Sequence, residues 1–186
     1  MYGEKDFSSL IGMEGFSEDL LKDHFKLYKG YVANTNKVAK LLKHANRTTY
    51  DYGELKRRFG WEFNGMRFHE LFFENMIQGG KPVGSKAKEA IEKEFGTFEE
   101  WQCDFMANAS MRGIGWVVLT YDPVAKRIFN IWVNEHDVGF LAGSIPLLVL
   151  DVFEHAFIRD YGLNKKDYIA AFIKNINWEI VEGRLK

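Results

Sequence analysis

An aspartate and a histidine stand four residues apart directly after an apolar run, in the segment from Asp151 to His155 that follows residues 146–150. A carboxylate and an imidazole at this spacing can both reach one metal ion from the end of a buried strand. The chain has five histidines. Four of them lie in contexts that suit a single redox-metal site: His24, His69, His136 and His155.

Three imidazoles and one carboxylate, from His24, His69, His155 and Asp151, form a donor set suited to iron or manganese. Such a set leaves a fifth position open for water or substrate. Each residue alone also has an ordinary explanation, since a histidine on an apolar helix face is usually a hydrogen-bonded core residue. An aspartate after a strand is often a helix N-cap. Spacing alone does not bring the four side chains together.

The first half of the chain predicts two long helices. Ser17 is a good N-cap for the first, because Glu18 and Asp19 then lie in the first turn, where the helix dipole favours anions. The second helix is predicted over about 52–78, with a break near Gly60, and the glycine pair at 79–80 ends it.

The second half mixes helices and strands. A short helix is predicted over 85–95, and Thr97 opens another with a capping-box pattern. Strands follow at 114–121, 126–133 and 145–150, with a loop over 134–144, and then a helical segment over 154–182 with a break near Gly162.

These elements predict an α+β protein. We expect a long N-terminal helical hairpin in residues 1–80, packed on a C-terminal α/β half in residues 81–186 that contains a three-stranded antiparallel sheet. The metal site is expected between the two parts.

Composition excludes several classes of protein. The net charge of −1 argues against nucleic-acid binding driven by bulk charge. The single cysteine, Cys103, rules out an intramolecular disulfide and a multi-cysteine zinc or iron–sulfur site. The sequence shows no apolar run long enough to span a bilayer and no leader-like N-terminus, so we expect a soluble, cytoplasmic protein that does not bind membranes.

Over nearly its whole length the chain resembles an iron/manganese superoxide dismutase. Four segments carry the resemblance, in the family's order. They are Arg-Phe-His-Glu-Leu-Phe-Phe-Glu-Asn at 67–75, Gly-Ile-Gly-Trp at 113–116, Asp-Val-Phe-Glu-His-Ala at 151–156, where the family has Asp-x-Trp-Glu-His-Ala, and Tyr-Ile-Ala-Ala-Phe…Asn-Ile-Asn-Trp at 168–178.

The resemblance implies one iron or manganese ion per subunit and superoxide as the substrate. It also implies a homodimer, with a tetramer left open, and leaves the choice between iron and manganese open. The implied metal ligands are His24, His69, Asp151 and His155.

Three further roles follow from the same resemblance. Trp116 would line the metal cavity, and Tyr31 would guard the substrate funnel. Glu154 would bond His155 of the other subunit across the dimer.

The chain departs from the family in its first motif, which is one residue shorter than the usual His-x-x-x-His-His-x-x-Tyr-Val. Placing the deletion after Tyr28 keeps His24 as a ligand and predicts a regular helix in place of a π-bulged one. Tyr28 would then replace the family's outer histidine, and Ile158 would replace the tyrosine that bonds this histidine across the dimer.

The glutamine that the family places beside the metal-bound solvent is also missing. One of its two usual positions is Gly65, and the loop position reads Asn-Glu-His-Asp at 134–137. We expect His136 to bond the metal-bound solvent in the space that Gly65 leaves vacant; the alternative is an exposed loop histidine. The fifth histidine, His44, is expected at the surface near a helix end.

The implied reaction converts two superoxide anions and two protons to dioxygen and hydrogen peroxide, by alternate reduction and oxidation of the metal. One alternative is a catalytically degenerate relative kept as a structural or interaction protein, although such copies usually lose ligands and all four are present here. The other is a non-haem iron oxygenase, which typically leaves two or more open positions on the metal. Gly65 resembles manganese-type members of the family, whereas Val149 leans towards iron types.

Overall fold

The N-terminal part is a hairpin of two long antiparallel helices in the computed structural model, which describes residues 1–185. Helix α1 spans Glu18–His44 and begins where the Ser17 hydroxyl accepts the Leu20 N–H at 3.1 Å. It is α-helical from end to end. The shortened first motif therefore lies in a regular helix, as predicted.

Helix α2 spans Tyr50–Glu74 and passes through Gly60 without the predicted break. A glycine in a helix interior costs about 1 kcal/mol relative to alanine, and α2 stays continuous despite this cost while it packs along α1. The helix also ends before the glycine pair. Its C-cap is Asn75, whose side-chain oxygen accepts the Val149 N–H at 2.8 Å, so a contact with a distant strand helps to fix the helix end.

The three-stranded antiparallel sheet confirms the predicted α+β class. Two helices precede it, α3 at Ser85–Phe95 and α4 at Phe98–Ala109. The strands are β1 (Gly115–Asp122), β2 (Arg127–Asn134) and β3 (Ile145–Asp151), in the order β2-β1-β3. Strand β1 is buried along almost its whole length, and its Trp116 pairs with Asp151 of β3.

The C-terminal segment forms short helices, not the long one with a single break near Gly162 that the sequence predicted. A 3₁₀ turn at Glu154–Ala156 leads into α5 (Ile158–Tyr161), α6 (Lys165–Lys174) and α7 (Trp178–Arg184). The helix is interrupted between α6 and α7, where Ile176 and Asn177 form β-bridges with Met76 and Lys81 of the segment that follows α2. Among residues 1–185, no helix is both long and apolar enough to cross a membrane.

One continuous apolar core joins the hairpin to the sheet. Helix α2 packs on β3, and α1 contacts the 3₁₀ turn after β3. The last residue of β3 therefore points between the two long helices, which is where the candidate site lies.

Candidate metal centre

Four side chains from both parts of the chain converge on one point. His24 comes from α1, His69 from α2, Asp151 from the end of β3 and His155 from the turn that follows. One potential ligand atom from each lies within 4.8 Å of the others. The Nε2 atoms of His24, His69 and His155 are 3.2, 3.6 and 3.1 Å from Oδ2 of Asp151.

The ring of His69 is oriented by its own helix. Its Nδ1 lies 2.5 Å from the carbonyl oxygen of Gly65 and can only donate to it, so Nε2 is the unprotonated nitrogen. That Nε2 is buried and has no hydrogen-bond partner among the described residues. A buried lone pair without a partner is costly unless something binds it, and here it faces the other three donors. The unpartnered Nε2 of His69 is therefore the observation that best supports a metal ion bound between the four donors.

Asp151 is held so that one oxygen faces the imidazoles. Its Oδ1 accepts the Phe153 N–H at 2.8 Å, and its main-chain carbonyl accepts the Tyr168 hydroxyl at 2.6 Å. The remaining oxygen, Oδ2, is the one that His24 and His155 approach.

The protonation states suit a cation. Burial alone would raise the pKa of Asp151, but the charge of His155 and the hydrogen bonds with His155 and His24 hold this pKa well below its usual range. Burial lowers the pKa of His24, and burial together with the charge of His24 lowers the pKa of His69 still further. An ionised Asp151 beside the neutral rings of His24 and His69 is the state in which these three groups can ligate a metal.

The donor chemistry also limits which metal fits. Three nitrogens and one oxygen without a thiolate suit iron or manganese, whereas soft metals select sulfur ligands. The lone Cys103 is exposed in α4, which supplies none of the four donors. The side chain of His155 is 30% exposed, so one edge of the centre reaches the surface of the chain.

A hydrogen-bonded row of aromatic side chains lies beside the centre. The Trp116 indole N–H donates to Nδ1 of His136 at 3.0 Å, and Nε2 of His136 lies 2.8 Å from the Tyr31 hydroxyl. Tyr31 and Trp116 both pack on the His69 ring, with centroid distances of 5.1 and 4.9 Å. His136 is fully buried, so it is not the exposed loop histidine of the alternative interpretation.

Comparison with known proteins identifies the family. The model for the C-terminal domain of iron/manganese superoxide dismutases matches residues 82–184. An iron superoxide dismutase of Cupriavidus metallidurans is 37% identical over 90% of this chain and 87% of its own. A manganese enzyme of Haloarcula marismortui is 40% identical over 88% and 82%, and one of Aeropyrum pernix named for both metals is 34% identical over 89% and 78%.

The chain belongs to the iron/manganese superoxide dismutase family. Its relatives carry the names of either metal or both, so family membership does not choose between iron and manganese.

The structure corrects one expectation about how this family member fills the space at Gly65. The space is not vacant, because a Cβ atom built on Gly65 would lie 2.6 Å from two ring carbons of Tyr31. The Tyr31 ring fills it, and His136 lies beyond, with its ring centroid 6.4 Å from that of His69. The predicted contact of His136 with metal-bound solvent stays a prediction.

Tyr28 points into the subunit. It is fully buried, and its hydroxyl lies 3.1 Å from Glu70 Oε1 and 3.0 Å from the main-chain N–H of Lys5. Burial raises its pKa to about 12, so it stays a neutral phenol. The replacement of the family's outer histidine by Tyr28 stays a prediction. Ile158 is 44% exposed on the outer surface.

Sequence reasoning missed two residues of α2 that hold His136 in place. The Asn64 side-chain amide donates to the His136 carbonyl at 2.8 Å. Trp61 packs edge-on against the His136 ring at 4.4 Å and donates from its indole N–H to Glu135 at 3.1 Å. Trp61, Gly65 and His69 are four residues apart and therefore share one face of α2. This spacing could have indicated from the sequence that Trp61 lies near the centre.

A small cavity opens beside Tyr31 between α1 and α2. It has a volume of about 180 Å³, and its lining includes Gly30, Tyr31, Arg58 and Trp61. The Arg58 guanidinium lies 4.0 Å from the centre of the Trp61 ring, and its Nε donates to the buried Glu62 at 2.7 Å. Arg58 and Glu62 both line this cavity beside Tyr31, so the cation is held there in an ion pair.

Proposed function

We propose that this protein is a superoxide dismutase that converts two superoxide anions and two protons to dioxygen and hydrogen peroxide. The observation that carries the proposal is the buried cluster of three imidazoles around Asp151, in a chain whose relatives are named superoxide dismutases. The cluster is complete, which a degenerate relative kept for structure alone would not need.

We assign His24, His69, Asp151 and His155 as the ligands of one iron or manganese ion per chain. The bound ion supplies the one-electron chemistry by alternating between its trivalent and divalent states. The protein supplies two imidazoles from the helical hairpin and an imidazole and a carboxylate from the region at the end of β3.

The row Trp116–His136–Tyr31 has a defined direction of donation. An indole N–H can only donate, so Nδ1 of His136 must accept and its proton must lie on Nε2. Nε2–H then donates to the Tyr31 oxygen, which leaves the phenolic proton of Tyr31 for an acceptor elsewhere. Burial, followed by the negative charge of Asp151, raises the pKa of Tyr31, so this proton is retained at neutral pH.

Tyr31 is therefore placed to donate a proton to an anion that arrives beside the centre. It borders the cavity between α1 and α2 and also packs on the ligand His69. His136 has both ring nitrogens engaged by protein groups, so we propose that it acts mainly by orienting Tyr31.

Arg58 supports the choice of an anionic substrate. It lines the cavity beside Tyr31 and is about half exposed, whereas its partner Glu62 is buried, so the cation is the group of this pair that faces solvent. An exposed cation beside a site raises the local concentration of a small anion and the rate of its encounter with the site.

We further propose that the protein is a homodimer joined at the open edge of the centre. Glu154 is exposed and lies next to the partly exposed His155. A carboxylate of the partner subunit could accept from the Nδ1–H of His155, as outer carboxylates commonly do for ligating histidines. The dimer would then complete both centres.

The test is a measurement of metal content together with the rate of superoxide loss. The purified chain is reconstituted with iron or with manganese, and turnover is expressed per bound ion. We expect about one ion per chain and turnover far above that of the metal-free chain. A chain that binds its ion and leaves superoxide untouched would instead be a structural relative of the dismutases.

A further inference from the structure

Gly65 faces the ring of Tyr31 at a distance that no side chain would permit. A Cβ atom at this position would lie 2.6 Å from two carbons of the Tyr31 ring and 3.1 Å from a third. Carbon atoms in contact normally lie about 3.5–4.0 Å apart. An alanine here would therefore push the ring away by about 1 Å.

The Tyr31 ring has little freedom to absorb such a push. It stacks on His69 at 5.1 Å with an interplanar angle of 30°, and it also contacts the rings of His136 at 5.0 Å and Trp61 at 5.6 Å. Its hydroxyl must also stay 2.8 Å from His136. A shift of about 1 Å would carry this bond beyond the range of a normal hydrogen bond.

Gly65 also acts on the metal centre through its main chain. Its carbonyl oxygen is the acceptor for Nδ1–H of His69, the bond that turns the other nitrogen of that ring towards Asp151. The Gly65 carbonyl thus orients His69, a proposed ligand. Because Gly65 has no side chain, the ring of Tyr31, the proposed proton donor, can lie against it.

We propose that Gly65 is the positioning residue of this site, which sets the place of Tyr31 and, through it, the orientation of the His136 ring. The steric part of this inference stands independently of the reaction. The consequence for turnover rests on the proposed function.

Helix α2 contains a matched control. Gly60 lies in the same helix, and a Cβ atom built there meets nothing within 4 Å. Gly60→Ala should therefore show only the helix-propensity gain, which lowers the unfolding equilibrium constant by about fivefold. Gly65→Ala would share that gain but also force the Tyr31 ring aside.

The first experiment is a double-mutant cycle, measured by denaturant unfolding of the full-length metal-free chain. We expect Gly65→Ala to raise the unfolding constant at least tenfold relative to Gly60→Ala. In a Tyr31→Ala background the same change should behave like Gly60→Ala, because the clashing ring is gone. An equal effect of Gly65→Ala with and without the ring would overturn the proposal.

The second experiment is a crystal structure of the metal-loaded Gly65→Ala protein, with turnover measured at matched metal content. We expect the Tyr31 hydroxyl to have left His136 and turnover to fall about tenfold, while Gly60→Ala matches the parent. An intact bond between Tyr31 and His136 would overturn the proposal.

Two outcomes need separate interpretation. If Gly65→Ala does not fold, the double variant with Tyr31→Ala should fold, and its failure to do so would show that the clash is not with Tyr31. If the parent protein proves inactive towards superoxide, the proposed function fails, but the unfolding cycle still decides the steric inference.

Discussion

The indole N–H of Trp116 donates to Nδ1 of His136 over 3.0 Å, and this bond decides which nitrogen of the histidine carries the proton. Trp116 has no acceptor, so His136 has to turn its N–H towards Tyr31. The direction of both hydrogen bonds in the row Trp116–His136–Tyr31 is therefore set by Trp116, a side chain at the start of β1 that can only donate.

His136 should matter for rate without being a ligand. We expect His136→Ala to keep its metal, to shift the reduction potential and to lower turnover by about 10- to 100-fold, the usual scale for loss of an outer partner. His136→Gln should retain more activity, because an amide can both accept from Trp116 and donate to Tyr31. Potential and rate are measured at equal metal content. A parent-like potential and rate in the alanine variant would remove His136 from the mechanism.

The same histidine should make the metal-free chain sensitive to acid. Burial lowers the pKa of His136 to about 4, below its ordinary value of 6.5. Above pH 6.5 the ring is neutral in both the folded and the unfolded chain, and stability is not reduced. As pH falls from 6.5 towards 4, the unfolded chain takes up a proton that the folded chain excludes, so the free energy of unfolding decreases over this window. The loss approaches about 1.4 kcal/mol per pH unit.

His136→Gln provides the comparison, because His24 and His69 titrate alike in both proteins. The free energy of unfolding should depend less steeply on pH between 6.5 and 4 in the variant. It is measured by denaturant titration at several pH values. Parallel curves for the two proteins would contradict the assignment of a buried, neutral His136.

Removal of a proposed ligand should remove the metal. We expect His69→Ala to lower metal occupancy and activity together, because an incomplete set of ligands binds weakly. His44→Ala is the control, since His44 is exposed at the end of α1. Elemental analysis of the folded proteins decides, and undiminished iron or manganese in His69→Ala would exclude His69 as a ligand.

Arg58 should steer the substrate. Arg58→Gln is expected to lower kcat/KM several-fold at low ionic strength, and the loss should shrink as added salt screens the charge. Arg57→Gln removes the same charge from a side chain that is 73% exposed and paired with Glu54. The two variants are compared across a salt series. An equal effect of both would mean that only net charge matters and not the position of Arg58.

Glu154 should support assembly. We expect Glu154→Ala to weaken the dimer and reduce metal retention, because His155 of the partner would lose its acceptor. Glu99→Ala, at an exposed position in α4, is the control for loss of a surface carboxylate. Sedimentation and metal analysis are made on the same samples. A full dimer with full metal in the Glu154 variant would count against the bridge.

Features that depend on a few neighbouring residues could be predicted from the sequence. Ser17 and Thr97 cap their helices as expected, since each hydroxyl accepts an N–H three residues further along. The strands appear where runs rich in β-branched and aromatic residues are bounded by turn residues. The four donors were also chosen from residue types and from the family resemblance, and the fold brings these four together.

Only the tertiary structure decided how the space around those donors is filled. Gly60 predicted a break where α2 is continuous, and Gly65 predicted an empty space that Tyr31 fills. The bond between the Tyr28 hydroxyl and Glu70 joins α1 to α2, and nothing in either sequence segment indicates it. These features could not be predicted because the residues in contact are far apart in the sequence. His24 and Asp151, for example, are separated by 127 positions. Caps and turns act over a few residues, whereas contacts of this kind are set by how helices and sheet pack.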